Sequence, residues 1–302
     1  MTSIRLGTRR SPLALVQARD VTDTLQRNGF TVELVEVVTD GDRSTDALTE
    51  IGGTGVFAHA LREQLRAGHV DVAVHSYKDL PTSADGEGLV VAAVPLRQDA
   101  RDALCCPAGL GIAELPAGAR VGTGSPRRAA QLLALGLGLE VAPVRGNVDT
   151  RLKKAVDGEL DAVVLARAGL ARLDRLDAIT EVLDPLLVMP APAQGALAVE
   201  CRDDAPFVDA LRAALDDPDS RATATAERAL LAALEGGCTA PIGALAEVAE
   251  DEMYLRAVVA AADGSEVLRR SMTGPLADPA AVGTRLAAEM LADGASDLMG
   301  VK

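Results

Sequence analysis

Short continuous apolar runs alternate along the chain with longer stretches whose apolar residues recur at helical spacing. Val72-Ala73-Val74 and Ala162-Val163-Val164 are runs of the first kind. They have the pattern of strands covered on both faces of a parallel sheet. Each follows a helical stretch and the same lead-in: Gly68-His69-Val70-Asp71 before the first, Gly158-Glu159-Leu160-Asp161 before the second. A second motif also recurs. Leu6-Gly7-Thr8-Arg9-Arg10-Ser11-Pro12 and Val121-Gly122-Thr123-Gly124-Ser125-Pro126-Arg127-Arg128 each read as a strand ending in Gly-Thr, a basic loop, then a helix. Ser before Pro suits the N-cap and first helical position, and Gly29 and Gly136 fall where C-terminal caps belong. Two motifs matching in the same order favour an internal repeat over chance similarity of two strand–helix–strand units. The order strand, basic loop, helix, strand, helix, strand predicts an α/β fold with two similar, mostly parallel lobes and a cleft between them.

Beyond the repeat the pattern changes. Chain crossings are expected near Val94-Pro95-Leu96-Arg97 and Val188-Met189-Pro190-Ala191-Pro192-Ala193-Gln194-Gly195, where proline favours extended chain. Ala196–Cys201 reads as one more strand, returning to the first lobe. Asp216–Ser220 reads as a polar linker, and Arg221–Leu234 as a helix ended by Gly236-Gly237. Met253–Ala261 and Ser265–Met272 are expected strands joined through the hairpin signal Asp263-Gly264, before an amphipathic helix at Pro279–Leu291. The expected domains are 1–95 with 196–216, then 96–195, then a small α+β domain with an antiparallel sheet at 217–302.

With no Trp among the 302 residues, the cores must be built from Leu, Val and Ala. A net charge of −14 argues against a general nucleic-acid binder and makes local arginine clusters worth explaining. The four cysteines (Cys105, Cys106, Cys201, Cys238) form no C-x-x-C pair, and His59, His69 and His75 offer no metal-ligand spacing. Met1-Thr2-Ser3-Ile4-Arg5 enters a strand pattern at once, and no apolar run is long enough to span a bilayer. The expectation is a cytoplasmic monomer with reduced thiols, no metal, no nucleic-acid partner and no membrane association.

Candidate chemistry lies at strand ends, where open α/β sheets bind ligands. His75-Ser76-Tyr77-Lys78-Asp79-Leu80-Pro81 delivers polar groups to one such end, and Pro81 blocks continuation of the ladder. Two readings stay open: Asp79 caps a following helix with Lys78 in solvent, or the pair belongs to a site. Arg127-Arg128 opens a helix, whose free N–H groups favour an anion. Arg145-Gly146-Asn147-Val148-Asp149-Thr150-Arg151 follows another strand, and Arg9-Arg10 occupies the matching place in the first lobe. A single arginine is better read as a surface ion pair. Six at matching loop positions favour a polyanion, held by guanidinium forks on carboxylate or phosphate. Cys238, between Gly236-Gly237 and Pro241, sits in a loop where a thiol could be a nucleophile or attachment point, although a lone cysteine is more often a buried small hydrophobe.

These segments together resemble the porphobilinogen deaminase (hydroxymethylbilane synthase) family. The matching pieces are Gly7–Leu15, His75–Pro81, Arg127-Arg128, Arg145-Gly146-Asn147-Val148 with Arg151, Gln194-Gly195-Ala196 and Glu235-Gly236-Gly237-Cys238, in family order over nearly the whole chain. The resemblance implies two lobes like type II periplasmic binding proteins and a third domain carrying a loop cysteine. It implies a dipyrromethane cofactor attached to Cys238 through a thioether. Four porphobilinogen units would be added with loss of ammonia, and water would release hydroxymethylbilane. By position in the motifs, Asp79 is the catalytic carboxylate. Ser76, Lys78, Thr123, Ser125, Arg127, Arg128, Arg145, Gly146 and Gln194 would hold the cofactor. Arg9, Ser11, Arg145, Arg151 and Arg172 would bind substrate carboxylates. Three positions depart from the common pattern: Thr54 stands where lysine is frequent in Ile51–Phe57, and Gly124 and Pro126 replace serine and leucine. The competing reading is a two-lobed dicarboxylate-binding or effector-sensing protein without catalysis.

Overall fold

The computed structural model describes residues 2–37, 56–82, 88–234 and 240–300. The glycine-rich stretch Ile51–Gly55 with Thr54, and the stretch Glu235–Thr239 with Gly236, Gly237 and Cys238, lie outside the described residues. The chain begins β1 (Ser3–Arg9), α1 (Pro12–Arg27), β2 (Thr31–Val37), α2 (Val56–Arg66), β3 (Val72–Ser76) and β4 (Leu89–Ala93). It continues β5 (Asp102–Cys105), β6 (Arg120–Thr123), α3 (Pro126–Ala134), β7 (Glu140–Pro143), α4 (Val148–Val156), β8 (Ala162–Ala166), α5 (Arg167–Arg172) and β9 (Glu181–Val182). It ends β10 (Leu197–Arg202), α6 (Val208–Leu215), α7 (Pro218–Ala233), β11 (Ile242–Ala249), β12 (Glu252–Ala260), β13 (Val267–Pro275), α8 (Pro279–Ala292) and α9 (Ala295–Met299).

Two compact units result. One is Met1–Gln98 with Ala196–Ala222, the other Asp99–Gly195 with Thr223–Lys302. The first holds a five-stranded sheet ordered β2-β1-β3-β10-β4, the second a five-stranded sheet ordered β7-β6-β8-β5-β9. In each, three strands run parallel and the fourth runs antiparallel to both neighbours. That fourth strand is the first formed when the chain enters its unit: β5 in one, β10 on the return to the other. The fold is α/β with two lobes of one topology, and the second unit also carries the antiparallel sheet β11-β12-β13.

The repeated motifs have the same physical role in both lobes. Gly68 (φ +69°) and Gly158 (φ +78°) end the preceding helices in the left-handed region, which glycine enters without steric penalty. Asp71 and Asp161 then lock the strands in register. Asp71 accepts the Arg5 backbone N–H (2.9 Å) and Asp161 that of Arg120 (2.6 Å). Gly7 and Gly122 leave room for neighbours: a Cβ would meet Leu61 at 3.1 Å in the first lobe and Leu160 at 2.5 Å in the second. Ser11 and Ser125 cap α1 and α3, accepting from Ala14 N (3.3 Å) and Arg128 N (3.4 Å). A cap of this kind contributes about 1 kcal/mol.

The cores follow the composition. Ile4, Leu6, Leu25, Val72, Val74 and Val199 fill the first lobe; Leu104, Val121, Leu132, Val164 and Leu183 fill the second. Two expectations are corrected. Asp216–Ser220 is not all linker, because α7 starts at Pro218 and Asp217 Oδ1 accepts the Ser220 N–H at 2.8 Å. The C-terminal sheet has three strands, since β11 precedes the expected hairpin and pairs with β12 over its length.

Candidate active site

Because β1 and β3 run parallel, their carboxyl ends lie at the same end of the sheet. Arg9 ends β1 and Ser76 ends β3. The strand exit at Ser76 is pinned from two sides. Gln17 of α1, almost wholly buried, donates to Ser76 Oγ at 3.0 Å, and the Tyr77 N–H donates to Ala196 O at 3.0 Å. The chain then makes one 3-10 turn, Tyr77–Asp79, rather than a helix. Asp79 therefore has no following helix to cap, and the next described element is β4. Its side chain is half-buried, and among the described residues its carboxylate makes no ion pair. Lys78 is half-buried beside it.

The second lobe repeats this exit without the acid. Ala166 ends β8 with the same extended backbone (φ −71°, ψ 124°, against −63° and 120° at Ser76). The Arg167 N–H donates to Arg101 O (3.1 Å), as Tyr77 does to Ala196. Gly169 takes the place of Asp79.

What the second lobe has instead is buried positive charge. Arg127 and Arg128 occupy the first turn of α3, which contains no acidic residue, so two cations sit at the positive end of a helix dipole. Both are nearly inaccessible, at 3% and 5% exposure. One carboxylate serves both: Asp102 Oδ2 lies 2.8 Å from Arg127 Nη1, and Asp102 Oδ1 lies 2.7 Å from Arg128 Nη2. Arg127 Nη1 also donates to Met189 O, and Arg128 Nη1 to Val164 O at 3.2 Å. Gln194 donates to Asp102 Oδ1 and to Ala100 O, both at 2.7 Å, and its Oε1 accepts from Arg128 Nη2 at 3.3 Å. Burial alone would push the Asp102 carboxyl up, but the charges of Arg127 and Arg128 hold it well below the usual carboxylate range. Burial lowers the Arg127 guanidinium, with Arg128 acting in the same direction against Asp102.

Arg151 joins this group. Its Nε donates to Gly146 O at 2.8 Å, and its guanidinium lies 3.8 Å from where a Cβ on Gly124 would stand. Burial, then the charges of Arg128 and Arg145, lower its affinity for its proton. Arg145 is exposed on the loop after β7, and Asn147 caps α4 by accepting from Thr150 N at 2.8 Å. Thr123 is buried at the end of β6, and its Oγ accepts from Ser125 N at 3.2 Å. Arg172 donates to Gly195 O at 3.0 Å. The second lobe thus gathers Thr123, Ser125, Arg127, Arg128, Arg145, Gly146, Arg151, Arg172 and Gln194, and the first gathers Arg9, Ser11, Ser76, Lys78 and Asp79. Arg10 belongs to neither set. It forms a surface pair with Glu36 at 2.9 Å, of the kind that contributes little.

Three important residues carried no sequence signal. Asp102 and Gln17 are single polar residues without a motif. Glu227, fully buried, accepts the Ala193 N–H (2.6 Å) and the Ala246 N–H (2.8 Å), holding Ala193 at φ +59° next to Gln194. Among the described residues no His, Cys, Asp and Glu cluster could hold a metal, and no helix is long and apolar enough to cross a membrane.

Family comparison identifies the chain's relatives. Residues 4–210 match the model of the porphobilinogen deaminase dipyromethane cofactor binding domain, and residues 221–292 match that of the porphobilinogen deaminase C-terminal domain. The chain belongs to the porphobilinogen deaminase family. It is 56% identical to porphobilinogen deaminase of Nocardia farcinica over 99% of this chain and 88% of that one. It is also 56% identical to the Mycobacterium tuberculosis H37Rv protein of that name over 98% of each, and to that of Mycobacteroides abscessus over 98% of this chain and 99% of the other. Among solved structures it is similar to the methionine binding protein MetQ (TM-score 0.44, 16% identity, 70% of this chain and 89% of that one). The aliphatic sulphonate binding protein SsuA of Escherichia coli is a similar case (TM-score 0.41, 15% identity, 78% and 71%). The non-catalytic dicarboxylate-binding alternative is not favoured, because both porphobilinogen deaminase models match.

The residues present fit an anionic dipyrromethane. Arg127 Nε is buried without a hydrogen-bond partner among the described residues. Such a donor costs about 1–3 kcal/mol if left unmet. Arg127, Arg128 and Arg151 accompany one buried carboxylate, so positive charge exceeds negative around Asp102.

Proposed function

We propose that the chain catalyses the stepwise deaminating condensation of four porphobilinogen molecules onto a dipyrromethane primer attached to Cys238, followed by hydrolytic release of hydroxymethylbilane. The observation that carries the catalytic part of this reading is Asp79, a half-buried carboxylate in the turn after β3 with no ion-pair partner among the described residues. It is available both to stabilise a cation and to exchange a proton.

When ammonia leaves an aminomethylpyrrole, positive charge remains on the substrate. Asp79 places a negative charge against it and accepts the proton lost when the new carbon–carbon bond is complete. Arg127, Arg128 and Arg145 hold primer carboxylates, with Ser76, Lys78, Thr123, Ser125, Gly146 and Gln194 as further primer contacts. Arg9, Ser11, Arg145, Arg151 and Arg172 receive substrate carboxylates. Bound dipyrromethane supplies the pyrrole carbon on which the chain is started. Gln194 acts through Arg128 and Asp102, since its amide hydrogens go to Asp102 and Ala100. The three-domain division at 1–95 with 196–216, 96–195 and 217–302, a cytoplasmic location and a monomeric state complete the reading.

Intact mass tests the tether. Wild-type protein made where porphobilinogen is available is expected to exceed its sequence mass by one dipyrrole, and Cys238→Ser to match its sequence mass. An unmodified wild type overturns the reading.

A further inference from the structure

We propose that Asp102 is a positioning residue for the anion-binding lobe. It fixes Arg127 and Arg128 in one arrangement and leaves the pair with one net positive charge instead of two. The inference rests on the proposed function, which supplies the anion.

Topology places Asp102 at the site. It is the first residue of β5, and β5 runs antiparallel to β8 with Asp102 opposite Ala166. The start of β5 therefore lies at the carboxyl ends of β6 and β8, where Thr123 and Arg167 stand. The equivalent position in the first lobe is Leu197, opposite Ser76 at the start of β10. At this sheet end the two lobes hold an acid in different places, leaving aside Asp99, which pairs with Arg101 and Arg167. The first has Asp79 in a half-buried turn; the second has Asp102 on the antiparallel strand with 0% exposure.

The hydrogen bonds show what Asp102 does there. Its Oδ1 takes Nε (3.0 Å) and Nη2 (2.7 Å) of Arg128, and its Oδ2 faces Nη1 of Arg127 at 2.8 Å. The carboxylate therefore orients Arg128 through two hydrogen bonds and holds Arg127 by charge, as a close ion pair without a hydrogen bond. Gln194 braces Asp102 from a third direction. A buried charged group of this kind contributes little net stability compared with apolar packing of the same shape, but removing one partner strands the others. Without Asp102, two guanidiniums at the positive end of α3 would repel each other. They would have no common anion to set their directions.

The test uses wild type, Asp102→Asn, Arg127→Gln and the double variant Asp102→Asn with Arg127→Gln, expressed where porphobilinogen is available. Asp102→Asn keeps the shape and removes the charge. Its fraction carrying the covalent dipyrrole, read by intact mass, is expected to fall by about tenfold or more, the size of losing one charged hydrogen-bond partner. Melting of the same set, each carrying Cys238→Ser so that no dipyrrole attaches, separates charge balance from packing. The double variant is expected to melt closer to the Cys238→Ser parent than Asp102→Asn does, because one unbalanced cation has gone. Full dipyrrole occupancy in Asp102→Asn, or simple addition of the two melting shifts, overturns the role of Asp102. An unmodified wild type overturns the proposed function instead, so the two failures are distinguishable.

Discussion

Asp79 and Asp102 are the same side chain under opposite conditions. Asp79 is half-buried and unpaired among the described residues, so its replacement leaves no partner stranded. Asp79→Asn is accordingly expected to melt within a few degrees of wild type and to lose about 100-fold or more in ammonia release from porphobilinogen, the usual range for a positioned acid–base group. Near-normal turnover would remove Asp79 from the mechanism. The cysteines give a second residue-level test. Burial pushes the Cys105 thiol up to about 12 and the Cys201 thiol up to about 11, and Cys106 is also buried. Thiolate is the reactive form, so Cys105 and Cys201 are expected to resist alkylation in native protein at pH 8, and Cys106 to do so because burial shields it from reagent; all three react in denaturant. Under the proposed function Cys238 is a thioether, so native holoprotein is expected to show no fast-reacting thiol; fast labelling at Cys201 or Cys105 would contradict the buried placement. At this scale the sequence was informative about Asp79 and the arginines, because they sit in motifs with local meaning. It was silent about Asp102, one of 44 acidic residues, whose partners lie about 25 and 90 positions away and meet it only through sheet order.

At the level of elements, legibility followed local pattern. The repeat was readable because Gly68 and Gly158, Asp71 and Asp161, and Ser11 and Ser125 perform steps that depend on near neighbours. Strand β11 was not, since Ile242-Gly243-Ala244-Leu245-Ala246-Glu247-Val248-Ala249 mixes helix formers with no clean alternation, and its pairing with β12 decides it. The hairpin at Asp263-Gly264 was readable as a turn, but not what it touches. Gly264 has φ +73°, and a Cβ there would meet Ala134 N at 2.6 Å, Leu133 Cβ at 2.7 Å and Ala130 O at 2.9 Å. The tip of the antiparallel sheet therefore packs against α3, the helix that carries Arg127 and Arg128. Gly264→Ala combines a strained backbone with overpacking against helix backbone atoms, which cannot yield as a flexible side chain would. It is expected to destabilise by about 1–3 kcal/mol. A chemical denaturation midpoint equal to wild type would show that the hairpin stands off the helix.

Across the whole molecule, two electrostatic effects oppose each other as pH falls. The net charge of −14 produces self-repulsion at neutral pH, which acid relieves as carboxylates on the surface protonate. The buried carboxylates act the other way. Burial would raise Glu200, but the His75 contact (Nε2 at 3.3 Å) and the Arg62 fork (2.9 and 3.1 Å) more than offset it, so its carboxyl lies below the ordinary value. Asp102 is lowered by Arg127 and Arg128 against its burial, and Asp71 is lowered mainly by its hydrogen bond to Arg5. A group whose folded value lies below its unfolded value of about 4 contributes stability that is fully present above that pH and lost as pH falls through the folded value. Melting temperature is therefore expected to hold steady or rise slightly from pH 7 to about 5, then fall steeply below about 4. Glu200→Gln removes one of the groups responsible, and leaves Arg62 without its full counter-charge. It is expected to lower the melting temperature at pH 7 and to shrink the acid limb, so that its curve approaches that of wild type near pH 3. Melting curves from pH 7 to pH 3 distinguish the cases. Parallel wild-type and Glu200→Gln curves across that range would mean that Glu200 is not held in its charged form by Arg62 and His75, and the strand pair β3 and β10 would need another account of its buried charge.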